Sequence, residues 1–502
     1  SQLNHLASET LNYIEANKEK YSLFLLIQKN IYALILLNEI QKLSNDLRDE
    51  EQIVFISDFN NKIAKIVADE PTPFIYERLG ERYNHYLLDE FQDTSTLQWH
   101  NLLPLIDNSL ASNNFNLIVG DGKQSIYRWR NANVKQFQQL PFIENPELNP
   151  NLSERESTLI SQFEGKFLDT NYRSCEKIVA FNNTAFEYLP KLLLSEEFQK
   201  IYDHQSQKIK KENGGYVSIN YGESTKEEVD TINFTCILDK ISLALKDGFN
   251  YNDICIIVRN NYHGNAIANH LIQNNIPVIS SDSLLLKNNQ EINCIINFLK
   301  HLNNNNDIIS AAAVIAYCTS NLAKTEIHLN KLHFTKNLYQ VLNELGIKLT
   351  SEIFAKKNIF DSCIEIISAL QLNKKNGQYI RFFLDEVNEY LVNKTGSIND
   401  FLIWWEKRET QASLIIPEGT NAVKVMTIHK SKGLEFPVVI LPYLNWEVFK
   451  SDNAWVNLEN ENTELPVAVF KISNAIADAG LKAVFEKEKN EQYLDNINLL
   501  YV

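Results

Sequence analysis

The chain has 502 residues, 44% of them apolar, with a formal net charge of −15 and six cysteines. That apolar share excludes a disordered chain, and the length exceeds what one hydrophobic core serves, so three or four domains are expected. The acid excess argues against any binding to polyanions that is not concentrated in a local basic groove.

In chain order, residues 1–55 place Leu and Ile at i, i+3 and i+4 with no glycine or proline, which predicts helix. The Leu23–Ile40 stretch is interrupted by Gln28, Lys29, Asn30 and Asn38, so no span of about 20 apolar residues is expected, and no membrane partner. Tyr86-Leu-Leu-Asp-Glu-Phe-Gln-Asp-Thr94 is an apolar run that stops on two carboxylates, Asp89 and Glu90. At the end of a buried parallel strand, such a pair can hold Mg²⁺ and orient or deprotonate a water. Many strands also simply end on solvated acids.

Leu117–Val119 is a second short apolar strand, running into Gly120-Asp-Gly-Lys-Gln-Ser-Ile-Tyr-Arg-Trp-Arg130. The glycines permit a sharp turn, and Lys123 and Gln124 can reach a phosphate. Tyr127, Trp129 and the flanking Arg128 and Arg130 suit a single strand of nucleic acid, with faces for bases and cations for phosphates. A buried Trp with solvated arginines fits the same string. Tyr172 and Arg173 follow in Phe167-Leu-Asp-Thr-Asn-Tyr-Arg-Ser174, where Ser or Asn can cap the helix that comes next.

After a polar linker at 208–215, Tyr216–Tyr221 reads as a strand. Ile254–Arg259, Ala266–Ile272 and Ile276–Ile279 then form a strand–helix–strand pattern. Residues 287–415 are helical in pattern and rich in Asn and Lys, and Trp404 and Trp405 read as packing residues. Val423–Leu441 is a strand, a polar Lys/Ser/Gly turn and a second apolar strand; such a turn can contact phosphate. The cysteines lack a C-x-x-C pair and sit mostly among apolar residues, as reduced core thiols of a cytoplasmic protein would.

Four strings in this order, LLDEFQDTS, VGDGKQSIYRWRNA, LDTNYRS and VMTIHKSKGLEFPVVIL, resemble the UvrD/Rep family of DNA helicases. HKSKGLEF and the approach to the DE pair are nearer to its AddA/RecB branch, the helicase subunits of ATP-dependent exonucleases that process double-strand breaks.

The resemblance implies an α/β fold of two RecA-like motor domains, parallel sheets flanked by helices, with helical insertion domains. Residues 1–55 would end an insertion and 56–175 would belong to the first motor. Residues 176–286 and 416–502 would build the second motor, around an insertion at 287–415.

It also implies ATP and Mg²⁺ as cofactors. Asp89 would bind the metal, Glu90 would activate water, and Gln124 would sense the terminal phosphate. Tyr172 would stack on adenine, Arg173 would act as an arginine finger, and Gly433 and Glu435 would lie by the nucleotide, with Glu435 on the ribose. Tyr127, Trp129, Arg130, Thr427 and His429 would face the DNA. Implied partners are single-stranded DNA, its junctions with duplex and a nuclease or helicase subunit, with movement 3′→5′.

The chain departs from the family in lacking its phosphate loop, the adenine-reading glutamine before that loop and the phosphate-binding arginine of its last motif. No G-x-x-x-x-G-K-[ST] phosphate loop occurs, and the first glycine is Gly80. Leu499–Val502 resembles the strand leading into the family's last motif. The sequence therefore reads as an inner portion of a longer helicase, ATPase-inactive by itself. A helicase-like scaffold without hydrolysis, and an ATPase acting on RNA or on a protein complex, are the other readings.

Overall fold

A computed structural model describes residues 2–502 apart from 70–75, 77, 80–81, 145–149, 224, 226–227, 281–284, 322–337, 356, 395, 413–419, 460–462 and 464. It divides into two compact units, Ser1–Gly222 with Asn445–Val502, and Glu223–Leu444. These cuts fall at different places from the boundaries expected from sequence at 175, 286 and 415. The strands are β1 Leu87–Leu88, β2 Leu117–Ile118, β3 Thr170–Cys175, β4 Lys208–Lys211, β5 Ile254–Val258, β6 Val278–Ser280, β7 Val423–Thr427, β8 Val438–Ile440, β9 Asn453–Asn457 and β10 Val467–Lys471.

In the first unit, β1 pairs parallel with β2, and β3 parallel with β4. Phe91, Trp99, Leu103 and Ile106 form a core beside β1, from the helix Thr96–Ala111 and the turn before it. Ser95 caps that helix in a reciprocal box with Gln98.

The N-terminal pattern is realised as one helix, Gln2–Glu51. Leu23 and Ile27 are buried under the antiparallel hairpin β9–β10, with Val456, Ala468 and Phe470. By length and composition this helix could cross a membrane: an 18-residue window reaches mean hydropathy 1.5. That differs from the sequence expectation, because the Leu and Ile of the run outweigh Gln28, Lys29, Asn30, Asn38 and Glu39 when averaged over the stretch.

The second unit is built on a parallel sheet of order β6-β7-β5-β8. β5 is Ile-Cys-Ile-Ile-Val, a run without polar alternation, as a strand covered on both faces requires. Ile237 and Ile241 of the helix Val229–Lys246, and Ile267 and Leu271 of Asn261–Gln273, close the core. A helical cluster from Gln290 to Arg408 forms a separate core that includes Phe298, Phe383, Phe401 and Trp405. Trp404 packs against its edge. All six cysteines are free thiols, and Cys255, Cys294, Cys318 and Cys363 are buried.

Two expected strands are absent. Tyr216–Tyr221 has strand-like residues, but no strand among the described residues pairs with it, and Tyr216, Ile219 and Tyr221 are exposed. Leu499–Val502 ends a helix, Lys482–Tyr501. Four residues are too few to reveal a period; over the longer run Phe485, Leu494 and Ile497 are buried, and no glycine or proline intervenes. Ser281–Ser283 and Leu284, within the expected exit from the second motor, lie outside the described residues.

Candidate functional site

The β1–β2 ladder brings the two sequence-predicted turns of the first unit together. Phe91 N donates to Val119 O at 3.0 Å and Val119 N to Leu88 O at 2.8 Å, so the chain past Asp89 and Glu90 runs beside the chain entering Gly120. Glu90 has φ 52°, a left-handed conformation unusual for a residue with a Cβ, and its N–H is taken by the Asp89 carboxylate at 2.8 Å. Both acids are exposed at the strand end, where a ligand could reach them.

Gln92, for which the sequence pattern suggested no role, ties these turns. It is fully buried; its amide nitrogen donates to the Glu90 carboxylate, and its Oε1 accepts the Asp121 N–H at 2.9 Å. Ser125 Oγ donates to its backbone carbonyl at 3.3 Å. The available signal was a polar residue one step past Phe91, a wholly buried neighbour.

Asp121 organises the second turn. Its carboxylate accepts from Lys123 N at 3.1 Å, Lys123 Nζ at 2.6 Å and Gln124 Nε2 at 3.1 Å. The two polar groups expected to reach a phosphate are thus gathered on one carboxylate. Beyond them, Tyr127 and Trp129 stand with ring centroids 6.3 Å apart, and the Arg130 guanidinium lies 4.6 Å from the Trp129 ring. Trp129 is 65% exposed. The alternative of a buried Trp is therefore not what folds.

Arg128 is corrected in the opposite sense. Counted among the cations available to phosphate, it is instead held by Glu488, Glu491 and Asp495 at 3.0, 3.1 and 2.7 Å. Burial pulls its guanidinium pKa down, but the Glu488 hydrogen bond and the Asp495 and Glu488 charges outweigh this and raise it above an ordinary arginine's.

Tyr172 and Arg173 lie exposed on β3. Asn171 Oδ1 accepts the N–H groups of Arg173 and Ser174 at 2.9 and 2.8 Å, so Asn171 braces this segment. Cys175, rather than Ser or Asn, occupies the cap position of the helix Glu176–Leu193, with no side-chain bond.

In the second unit, Thr427 ends β7 beside Val258 of β5, and His429 lies in the helical turn Ile428–Ser431. Gly433 has φ 81°, which a side chain would strain, and opens the reversal toward exposed Glu435 and then β8. Thr427 and His429 therefore lie at the carboxyl edge of the parallel sheet, where ligands of open α/β sheets bind, whereas Gly433 and Glu435 lie on the crossover that returns to the start of β8.

Among the described residues no group of three or more His, Cys, Asp or Glu could hold a metal. The chemistry still fits Mg²⁺, which is commonly held by one or two carboxylates together with substrate phosphates and water.

The UvrD/REP helicase N-terminal domain family matches residues 2–141, and the UvrD-like helicase C-terminal domain matches 167–394 and 331–465. The chain belongs to the UvrD-like helicase family. This UvrD-like chain is 24% identical over 488 residues to one subunit of the ATP-dependent helicase/nuclease of Oceanobacillus iheyensis, covering 83% of itself and 39% of that protein. It is 25% identical to the ATP-dependent DNA helicase Rep of Buchnera aphidicola, covering 72% and 57%. To the RecBCD enzyme subunit RecB of Buchnera aphidicola it is 27% identical, covering 85% and 37%. The UvrD-like chain thus spans roughly two fifths to just over half the length of these relatives.

Proposed function

We propose that this chain is the motor-core portion of an ATP-driven, 3′→5′ DNA translocase that acts in double-strand-break processing and recombinational repair. The observation that carries this reading is the Gln92 bridge. One buried amide links the Glu90 carboxylate to the turn whose near end holds Lys123 and Gln124 and whose far end exposes Trp129 and Arg130. Hydrolysis at one end and strand contact at the other can be coupled through so short a path.

Asp89 is the residue to hold Mg²⁺, which would neutralise charge on the phosphates. Glu90 takes the proton of the attacking water, Gln124 reports on the terminal phosphate, and Arg173 offsets charge developing there. Such a finger contributes on the order of 10³–10⁵ in rate. Tyr172 stacks on adenine, and Gly433 and Glu435 serve the nucleotide. Trp129, Tyr127 and Arg130 stack and pair with the strand, while Thr427 and His429 contact its backbone.

A nuclease or helicase subunit is the proposed protein partner, and single-stranded DNA with its duplex junctions the proposed substrate. Two relatives that are themselves subunits, one of a helicase/nuclease and one of the RecBCD enzyme, support that choice. A cytoplasmic setting accords with the free thiols. The second reading, a hydrolysis-free scaffold, is weakened by the retention of Glu90, Gln124 and Arg173 together.

The test is oligothymidylate binding across a salt series. Affinity should fall with salt, and Trp129→Ala should weaken it by about 1–3 kcal/mol, the worth of one stacked base. Binding that is indifferent to Trp129 would overturn the assignment, and tighter binding to matched RNA would reassign the strand.

A further inference from the structure

The helix Lys482–Tyr501 carries four polar side chains on one narrow stripe, Glu488, Glu491, Asp495 and Asn498. They recur at three- and four-residue steps, which keeps them on one face over about 15 Å of axis. Each meets the 122–130 segment. At one end the three carboxylates surround Arg128, immediately before Trp129.

At the other end Asn498, fully buried, donates through Nδ2 to Gly122 O at 3.2 Å and to Ser125 O at 2.8 Å. Its Oδ1 accepts the Tyr202 hydroxyl at 2.7 Å. These two carbonyls bracket Lys123 and Gln124. A turn farther on, the Tyr501 ring lies 5.4 Å from Lys123 Nζ.

We propose that this helix face is the strut that fixes the distance between the phosphate-facing turn and the base-stacking turn, with Asn498 as its positioning residue. An amide is suited to this point. It donates twice and accepts once with no net charge, so it holds both carbonyls and the tyrosine hydroxyl without burying an ion. The acid triad at the far end suits the opposite need, fixing a permanently charged guanidinium so that Trp129 and Arg130 alone project outward. The inference rests on the strand-facing role proposed for Trp129.

Two measurements test it, one independent of DNA. Hydrogen exchange should accelerate about tenfold at the Gln124, Ser125, Arg130 and Asn131 amides in Asn498→Leu, as loss of two net hydrogen bonds implies, with the Trp99–Ile106 amides unchanged. Tyr202→Phe, which retains the Asn498 donors, should give a smaller effect at the same amides. Unchanged exchange at 124–131 in Asn498→Leu would overturn the strut.

If Asn498→Leu does not fold, the Glu488→Gln, Glu491→Gln double variant loosens the other end. It should speed exchange at Arg130 and Asn131, and unchanged exchange there overturns the strut equally.

The second measurement is a double-mutant cycle between Asn498 and Trp129 on oligothymidylate affinity. Mispositioning of Trp129 predicts that Trp129→Ala costs at least about threefold less in the Asn498→Leu background, whereas independent residues simply add. Additive losses would overturn the coupling. If the unaltered chain binds no oligonucleotide, the strand-facing role of Trp129 fails while the exchange result still decides whether the strut exists.

Discussion

Gly120 shows how little room the linked turns leave. A Cβ there would lie 2.7 Å from Gln92 Oε1 and 3.1 Å from the Phe137 ring. Gln92 cannot swing aside without losing its bonds to Asp121 and Glu90. Gly120→Ala should therefore destabilise the first unit by about 1–3 kcal/mol, the usual cost of overpacking, read as a lower urea midpoint. A wild-type midpoint would show that the Gln92 bridge is not rigid.

His100 supplies a pH test in the same unit. Burial lowers its pKa most, against the raising effect of Glu144 and with the lowering effect of Arg155. Its Nε2 is buried and unpaired among the described residues. The folded state thus keeps the ring neutral while the unfolded chain protonates it near 6.5, so unfolding takes up a proton in acid. Stability from this group is complete above that value and declines as pH falls below it toward the folded pKa. His100→Gln should lose less stability than the parent between about pH 7 and about pH 5.5. Parallel declines of the two proteins would rule the group out.

At the scale of elements, what could be read from sequence tracks how local the determining physics is. The helix Gln2–Glu51, the buried strand β5 and the helical stretch after Gln290 all follow from patterns within a few turns of chain. Asp89, Glu90 and the Gly120–Gln124 turn were legible because apolar strands announce them. Gln92 and Asn498 were not, since each acts through partners brought close only by folding; Gln92 meets Asp121 across 29 positions and Asn498 meets Gly122 across 376. Tyr216–Tyr221 failed for the complementary reason, because a strand needs a neighbour that no local pattern specifies.

The hairpin β9–β10 is another such long-range partner. Phe470 is fully buried among Leu23 and Ile27 of the long helix and Ile476, Leu481 and Phe485. Phe470→Ala should cost about 3–5 kcal/mol and expose the middle of that helix to protease. Wild-type resistance to cleavage near Leu23–Ile27 would mean the helix is held by something other than this hairpin.

For the whole molecule, the question is whether these 502 residues can hydrolyse ATP. They contain Glu90, Gln124 and Arg173, the residues proposed to activate water, sense the phosphate and act as a finger, yet no glycine-rich phosphate loop with its lysine. Fixing the reacting phosphate in place is worth roughly 7–11 kcal/mol of barrier. A finger worth about 10³–10⁵ in rate supplies only about 4–7 kcal/mol, and only once that phosphate is already placed. Lys123 cannot readily substitute, being drawn to Asp121 at 2.6 Å. The acid excess adds to the difficulty, since a chain of net charge −15 does not by itself concentrate a tetra-anionic nucleotide. Hydrolysis by this chain alone should therefore stay at the background of a Glu90→Gln variant, with or without single-stranded DNA. DNA-stimulated turnover that Glu90→Gln abolishes would show instead that residues within these 502 cradle the phosphates, and Lys430 and Lys432, in the turn after β7, would be the first to substitute.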